Sequence, residues 1–203
     1  AFVVSFLALP LSAHADVSLP KIFGSNMVLQ QNQPIHVWGW AEPGEEVSVE
    51  LGGTSATAKA DDKGNWRNEL PARKANGDSL TLIVKGDNEI KLDNVLMGEV
   101  WLGSGQSNME WTVKAAKDPA KETAAAKHPL IRIFKVERAK STQPAKDVVG
   151  QWQVCSPTTI PNFSATAYYF ARKLQQELDV PVGIIASSWG GTRIEPWTPS
   201  NGT

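Results

Sequence analysis

Ser107 is the residue of this chain whose sequence surroundings most strongly indicate chemistry. It lies in the run VWLGSGQSNMEW over residues 100–111. An apolar, strand-like segment leads into Gly-Ser-Gly and then into a serine between two amide side chains. A strand end followed by glycines, which allow positive φ, favours a sharp turn that exposes a nucleophilic hydroxyl. The pattern differs from the Gly-x-Ser-x-Gly of α/β-hydrolases, because Met109 stands at the second glycine position.

A second candidate loop, SSWGGT over residues 187–192, follows the apolar segment VGIIA at 182–186. A continuous apolar run is typical of a buried parallel strand. If this strand is parallel to the one at 99–103, both loops lie at the same edge of the sheet, where open α/β sheets bind ligands. Backbone N–H groups of Ser107, Gly190 and Gly191 could then stabilise the oxyanion formed when a serine attacks an acyl carbon.

The second half of the chain, from about residue 96, is predicted to alternate strands and helices. Besides the two strands already named, strands are predicted at 130–136 and 152–155. Residues 112–127 are rich in Ala and Lys and are predicted to form a surface helix or ordered loop, broken at Pro119. A helix followed by a buried strand is typical of an α/β layer.

The most regular helix signal starts at Ser164, which is predicted to cap a helix that reaches about Leu178. Its apolar positions are spaced so that they share one face. They are Ala167, Phe170, Ala171, Leu174 and Leu178.

Residues 16–95 show short alternating segments and no helical periodicity. Apolar and polar residues alternate over 35–40, 47–51 and 80–84. Turn sequences such as Glu42-Pro43-Gly44 separate these runs. Short strands with frequent turns predict a small β-sandwich.

Composition and charge describe an ordinary globular protein. Among 203 residues, 20 Lys and Arg stand against 21 Asp and Glu, which gives a formal net charge of -1. Because phosphate binding needs clustered cations, nucleic acid is excluded as the main partner. Cys155 is the single cysteine, so it cannot form a disulfide within the chain. It is predicted to be a buried small hydrophobe rather than a metal ligand.

Residues 1–15 have the features of a partial signal peptide. They are largely apolar and end in Ala13-His14-Ala15, which fits a small-x-small cleavage site. A basic segment is missing before them, so the true start is expected upstream. The run is too short to span a membrane, and no later segment is long enough. We therefore expect an exported protein, periplasmic or extracellular, without a membrane span.

Both loops also resemble sequence blocks of a known enzyme family. The run 100–111 is similar to the first block of the SGNH-type carbohydrate esterases, in particular the sialate O-acetylesterase family. The run SSWGGTRIEPW at 187–197 resembles the second block. The resemblance spans about residues 18–200. It implies a mixed fold, with a β-sandwich at 16–95 followed by an incomplete SGNH-type α/β/α hydrolase domain with a parallel sheet at 96–203.

The resemblance implies a serine esterase that removes O-acetyl groups from sugars, without a metal or organic cofactor. Ser107 would be the nucleophile, and the second block would bring the oxyanion-hole glycine. Arg193 could pair with a carboxylate such as that of sialic acid. Candidates for contact with the acetylated carbohydrate are Gln106, Asn108, Trp189 and Arg193, with Trp111 and Trp197 as further aromatic faces.

The catalytic base is missing from this pattern. The family's later blocks supply an Asp-x-x-His pair and a polar oxyanion donor, and we expect them beyond Thr203. His14, His36 and His128 have no placement that would let them substitute. We therefore expect the N-terminal part of a longer enzyme, nearly inactive by itself. Two alternatives stay open: an esterase for acetylated xylan or another polysaccharide, and a non-catalytic carbohydrate-binding β-module.

Overall fold

The computed structural model describes residues 16–198, which fold mainly into β-strands. The expected signal peptide at 1–15 lies outside the described residues. The strands are β1 (Val28–Gln30), β2 (Ile35–Trp40), β3 (Glu46–Leu51), β4 (Thr54–Lys59), β5 (Asn65–Leu70), β6 (Leu80–Lys85), β7 (Glu89–Gly105), β8 (His128–Lys135), β9 (Trp152–Cys155) and β10 (Val182–Ser188). The α-helices are α1 (Ser107–Glu110), α2 (Pro119–Ala125) and α3 (Ala165–Leu178).

Most strands belong to one mixed sheet with the order β4-β3-β6-β7-β10-β8-β9, in which β1 also pairs with β7. The pairs β3–β4, β3–β6 and β6–β7 are antiparallel, whereas β10 is parallel to both β7 and β8. Strands β2 and β5 form a separate antiparallel sheet. The expected mixed architecture with a parallel sheet portion is therefore confirmed at this level.

Strand β7 is the structural link between the two halves of the chain. Its 17 residues pair with β6 over the first part and with β10 over the last part. The strand crosses residue 95, where the sequence indicated a change of architecture. The boundary between a domain at 16–95 and one at 96–203 stays a prediction.

The described residues form two hydrophobic cores. The first joins alternate residues of β2, β3, β5 and β6, among them Val37, Val49, Trp66 and Leu82, and extends to Phe134 and Trp152. The period-2 alternation of these strands puts their apolar side chains on one face. The second core packs α3 against β8 and β10, and it contains Cys155, as the sequence predicted for this thiol.

Helix α3 begins where the sequence predicted. The Ser164 side chain accepts a hydrogen bond from the Ala167 N–H at 3.2 Å, which satisfies one of the free donors of the first turn. The buried residues are Ala165, Ala167, Tyr168 and Ala171. The predicted face was partly wrong, because Phe170 and Leu178 are 41% and 49% exposed. The helix is rotated toward Tyr168, and Phe170 instead contacts Trp101 edge-on.

The segment 112–127 is helical in two short pieces. A 3₁₀ turn covers Val113–Ala115, and α2 begins at Pro119. Proline suits the first position of a helix because that position needs no N–H donor. Pro119 therefore starts the second piece, and the break predicted there falls just before it.

One edge of β7 is open near its end. Strand β1 pairs with β7 only at residues 96–98, and within residues 16–198 no other strand continues along that edge beyond Gly98. Trp101 and Leu102 are 44% and 66% exposed there. No helix in the described part of the chain has the length and apolar character needed to cross a membrane.

Candidate active site

The two predicted loops meet at one edge of the sheet. Strands β7 and β10 run parallel, and Ser187 and Ser188 lie opposite Ser104 and Gly105. The Trp189 N–H continues the pairing by donating to the Gly105 carbonyl at 3.0 Å. Since β8 is also parallel to β10, the segment after Lys135 reaches the same edge. The segments after β7, β8 and β10 therefore converge at one place, whereas the sequence predicted only the first and the last of them there.

A tight turn at Gly105 and Gln106 joins β7 to Ser107, the first residue of α1. Gly105 adopts φ +141°, a conformation that side chains with a Cβ rarely adopt. The Gln106 carbonyl then accepts hydrogen bonds from the N–H groups of Met109 and Glu110, both at 3.0 Å. Ser107 is exposed at the first position of α1. The local geometry is thus the sharp turn that the glycines predicted.

Met109 packs closely over two glycines at the end of β7. A Cβ on Gly103 would lie 2.7 Å from the Met109 Cε, and one on Gly105 would lie 3.2 Å from its Cγ. The Met109 side chain packs over the strand end and against the second core. At the position where an α/β-hydrolase has glycine, Met109 thus packs α1 against the second core.

Gly190 lies beside Ser107. A Cβ placed on Gly190 would be 3.4 Å from the Ser107 Oγ and 2.6 Å from the Glu110 Oε2. The Gly190 N–H donates to that same oxygen at 2.9 Å. This N–H, which the sequence offered as an oxyanion donor, is therefore engaged by a carboxylate. Gly191 is exposed and adopts φ +78°.

Glu110 and Arg138 were missed as site residues by the sequence reasoning. The Glu110 carboxylate pairs with Arg138 through its other oxygen, Oε1. The Arg138 guanidinium and the Lys140 ammonium each lie 5.5 Å from the centre of the Trp189 ring. Glu110 could have been suspected, since it is three residues after Ser107 in a helical turn. Nothing in the sequence around Arg138 indicates that it folds back to this site.

The predicted substrate-binding residues are distributed over two neighbouring cavities. One, of about 380 Å³, is lined by Ser104, Gly105, Gln106, Thr192, Arg193, Ile194 and Trp197. The other, of about 400 Å³, is lined by Ala139, Lys140, Ser141, Trp189, Thr192 and Trp197. Thr192 and Trp197 line both cavities, and the Thr192 hydroxyl accepts a hydrogen bond from the Trp197 indole at 2.8 Å while donating to the Trp189 carbonyl at 2.7 Å.

Two of the predicted contact residues lie outside these cavities. Asn108 is exposed on α1, where its carbonyl accepts a hydrogen bond from the Thr166 hydroxyl at 2.9 Å. Trp111 is 58% exposed, and its indole N–H donates to the Ala115 carbonyl at 2.9 Å. Trp189 lines the second cavity, but the cationic groups of Arg138 and Lys140 lie over its ring.

Neither histidine of the described residues lies at the site. His128 begins β8, so a strand of eight residues, about 23 Å at ~3.3 Å per residue, separates it from the site edge. Desolvation, followed by the nearby Arg172 charge, lowers the pKa of His128. His36 lies in the separate β2–β5 sheet, 3.5 Å from Glu69. Residues 16–198 also contain no group of three or more His, Cys, Asp or Glu side chains arranged to hold a metal ion.

Comparison with known proteins places these features in a class. The sequence model of the carbohydrate esterase, sialic acid-specific acetylesterase family matches residues 97–203. The chain is 32% identical to the human sialate O-acetylesterase over 95% of its own length, and 30% identical to the mouse enzyme over 85%. A carbohydrate acetylesterase from Xanthomonas citri superimposes with a TM-score of 0.88, at 40% identity over 92% of this chain.

These matches define a member of the carbohydrate esterases. The chain belongs to the sialic acid-specific acetylesterase family. It spans 42% of the length of the human relative and 43% of the Xanthomonas citri structure.

Proposed function

We propose that this chain carries the nucleophile-bearing part of a serine esterase that removes O-acetyl groups from sugars. The observation that carries the proposal is the placement of Gly190 against the Ser107 hydroxyl at the end of two parallel strands. An exposed hydroxyl on a strained turn, with backbone of a second loop beside it, is the arrangement that acyl transfer needs. Membership of a carbohydrate acetylesterase family supports the substrate class.

The proposed reaction has two halves. The Ser107 Oγ attacks the acetyl carbon, a base takes the hydroxyl proton, and the C–O bond to the sugar breaks as the base returns that proton to the leaving oxygen. Water then hydrolyses the acetyl-enzyme by the same route. The oxyanion of each tetrahedral intermediate would accept hydrogen bonds from backbone N–H groups. Ser107 and Gly191 are the donors we propose, because the Gly190 N–H already binds Glu110.

The base is proposed to come from outside residues 16–198. Both histidines of this range lie away from the site, and Glu110 is already paired with Arg138 and the Gly190 N–H. The open edge of β7, with Trp101 and Leu102 exposed, supports a sheet that further strands would complete. We propose the same for the finer architecture: an SGNH-type α/β/α domain preceded by a β-sandwich in which β2 and β5 cover the antiparallel strands.

The proposed substrate is a short acyl ester on a sugar, first among them an O-acetylated sialic acid. Arg193 lines the cavity that also contains Gln106, so its guanidinium could bind a sugar carboxylate. Trp197 lines both cavities and offers an aromatic surface for a sugar ring. Trp189 is a weaker candidate for stacking than the sequence suggested, since Arg138 and Lys140 lie over it. Acetylated xylan remains the second candidate substrate, and export of the protein remains a proposal.

The test is made on the full-length protein that contains this chain. Ser107→Ala should abolish both hydrolysis of acetyl esters and covalent labelling by a fluorophosphonate. Ser104→Ala is the matched control, since Ser104 lies at the end of β7, three residues before Ser107, and lines the first cavity. Labelling that persists in Ser107→Ala and disappears in Ser104→Ala would reassign the nucleophile.

A competition assay then identifies the sugar. O-acetylated sialic acid, acetylated xylan and a long-chain ester are offered together, and we expect preference for the first. Preference for the long-chain ester would contradict the acetyl-sugar proposal. Preference for xylan would keep the mechanism and change only the sugar. Full-length protein that hydrolyses none of them but binds sugars would favour the carbohydrate-binding module.

A further inference from the structure

The Glu110 carboxylate joins the three chain segments that converge on the site. Glu110 is on α1, which also carries Ser107 and follows β7. Its Oε2 accepts from the Gly190 N–H after β10, and its Oε1 pairs with Arg138 in the segment after β8. The Glu110 side chain is 27% exposed and the Arg138 side chain 50% exposed, so this junction is partly shielded from water.

A lone carboxylate at this position would oppose the proposed reaction. The Gly190 N–H binds the Glu110 Oε2, and a Cβ on Gly190 would lie 3.4 Å from the Ser107 Oγ, so the carboxylate is close to where the oxyanion develops. Like charges at short range raise the energy of the second charge, and partial burial strengthens the effect. The Arg138 guanidinium offsets the Glu110 charge while leaving the second carboxylate oxygen free to hold Gly190.

We propose that Glu110 and Arg138 are positioning residues for the esterase reaction, an inference that rests on the function proposed above. Glu110 holds the backbone of Gly190 against the Ser107 hydroxyl, and Arg138 neutralises the carboxylate that does so. Arg138 also covers the Trp189 ring, which fixes the start of the same loop. Neither residue touches the reacting atoms; both act through the position and the electrostatic surroundings of Ser107.

This arrangement predicts an unusual order of mutational effects. Glu110→Gln keeps an amide oxygen that can accept the Gly190 N–H and removes the charge, and the half-exposed Arg138 can turn toward water. Arg138→Ala leaves the carboxylate uncompensated beside the nucleophile. Arg138→Ala should therefore be the more damaging change. Adding Glu110→Gln to Arg138→Ala should restore activity, which a purely structural ion pair would not do.

The variants are compared in the full-length protein by kcat and KM on an activated acetyl ester. We expect Arg138→Ala to lower kcat by about 10- to 100-fold with KM almost unchanged, because the effect falls on the transition state. Glu110→Gln should lose about threefold or less, and the double variant should recover most of the Arg138→Ala loss. Arg172→Ala is the matched control: it breaks the Glu122–Arg172 pair, at 2.7 Å, and should keep kcat.

A second measurement does not depend on esterase activity. Hydrogen–deuterium exchange of the peptide that contains Gly190 should speed up in Glu110→Ala and stay close to wild type in Glu110→Gln. Unchanged exchange in Glu110→Ala would overturn the proposal that Glu110 holds the Gly190 backbone. Active protein in which Arg138→Ala keeps wild-type kcat, or in which the double variant is as poor as Arg138→Ala, would overturn the charge compensation. Wild-type protein that hydrolyses no acetyl ester would overturn the proposed function. The exchange measurement would still show whether Glu110 holds the Gly190 backbone.

Discussion

The Gly190 backbone lies close to Ser107 across two strand ends: a Cβ on Gly190 would lie 3.4 Å from the Ser107 Oγ and 3.6 Å from its Cα. The two residues are 83 positions apart in sequence, and the parallel pairing of β7 with β10 brings them together. The backbone of the second loop therefore forms one wall of the space in which a Ser107 acyl adduct would be built. A side chain on residue 190 would also meet the Glu110 Oε2, which would lie 2.6 Å from its Cβ.

Gly190→Ala should therefore impair the site strongly. The added methyl group would lie 2.6 Å from the Glu110 Oε2, so either the carboxylate or the loop must move. Movement of either group next to the nucleophile is expected to lower kcat/KM by about 100-fold. The measurement is hydrolysis of an acetyl ester by the full-length protein. Gly24→Ala is the control, since its Cβ would meet nothing closer than 3.8 Å and should leave activity unchanged.

The 203-residue chain by itself should be a very poor esterase. No histidine of residues 16–198 can take the proton from Ser107, and an unassisted hydroxyl is a weak nucleophile. Turnover of an activated acetyl ester is expected to be lower than that of the full-length protein by about 1,000-fold or more. Comparable turnover by the two forms would mean that this chain itself contains the base.

Arg193→Ala should separate acidic from neutral substrates. Because Arg193 lines the cavity next to Gln106, loss of its charge should raise KM for an O-acetylated sialic acid by about 10-fold. KM for a neutral acetylated sugar should change little, and Arg193→Lys should recover part of the loss. Equal changes for both substrates would argue that Arg193 does not contact a carboxylate.

Cys155 should be unreactive in the folded protein. The thiol is 2% exposed, and burial raises its pKa to about 12 from a usual value of 9.0. Because the folded pKa is the higher one, the contribution of Cys155 to stability is complete below pH 9 and is lost as the pH rises toward 12.

A thiol-reactive chromophore at pH 8 should therefore detect no thiol in native protein and one per chain in denaturant. Rapid reaction of native protein would contradict the burial of this side chain.

Local sequence patterns determined many of the elements and the two loops of the site. Three signals depend only on residues close by in the sequence. They are the alternation over 35–40, the cap at Ser164 and the apolar run at 182–186. Glycines before Ser107 likewise indicated a sharp turn, because the conformational freedom of glycine is a local property. The resemblance to the carbohydrate esterases added the family, which the comparisons confirm.

Only the tertiary structure decided which partners these elements have. β7 extends through both halves because β6 and β10 pair with successive parts of it, and no pattern within the strand specifies either neighbour. Phe170 and Leu178 fit the apolar face of α3 by spacing, yet the rotation of the helix toward Tyr168 leaves them exposed. From the sequence, the Gly190 N–H was a candidate oxyanion donor. In the fold it donates to the Glu110 carboxylate, 80 residues away in sequence. Such contacts depend on how strands pack in space, and periodicity over a few residues carries no information about that.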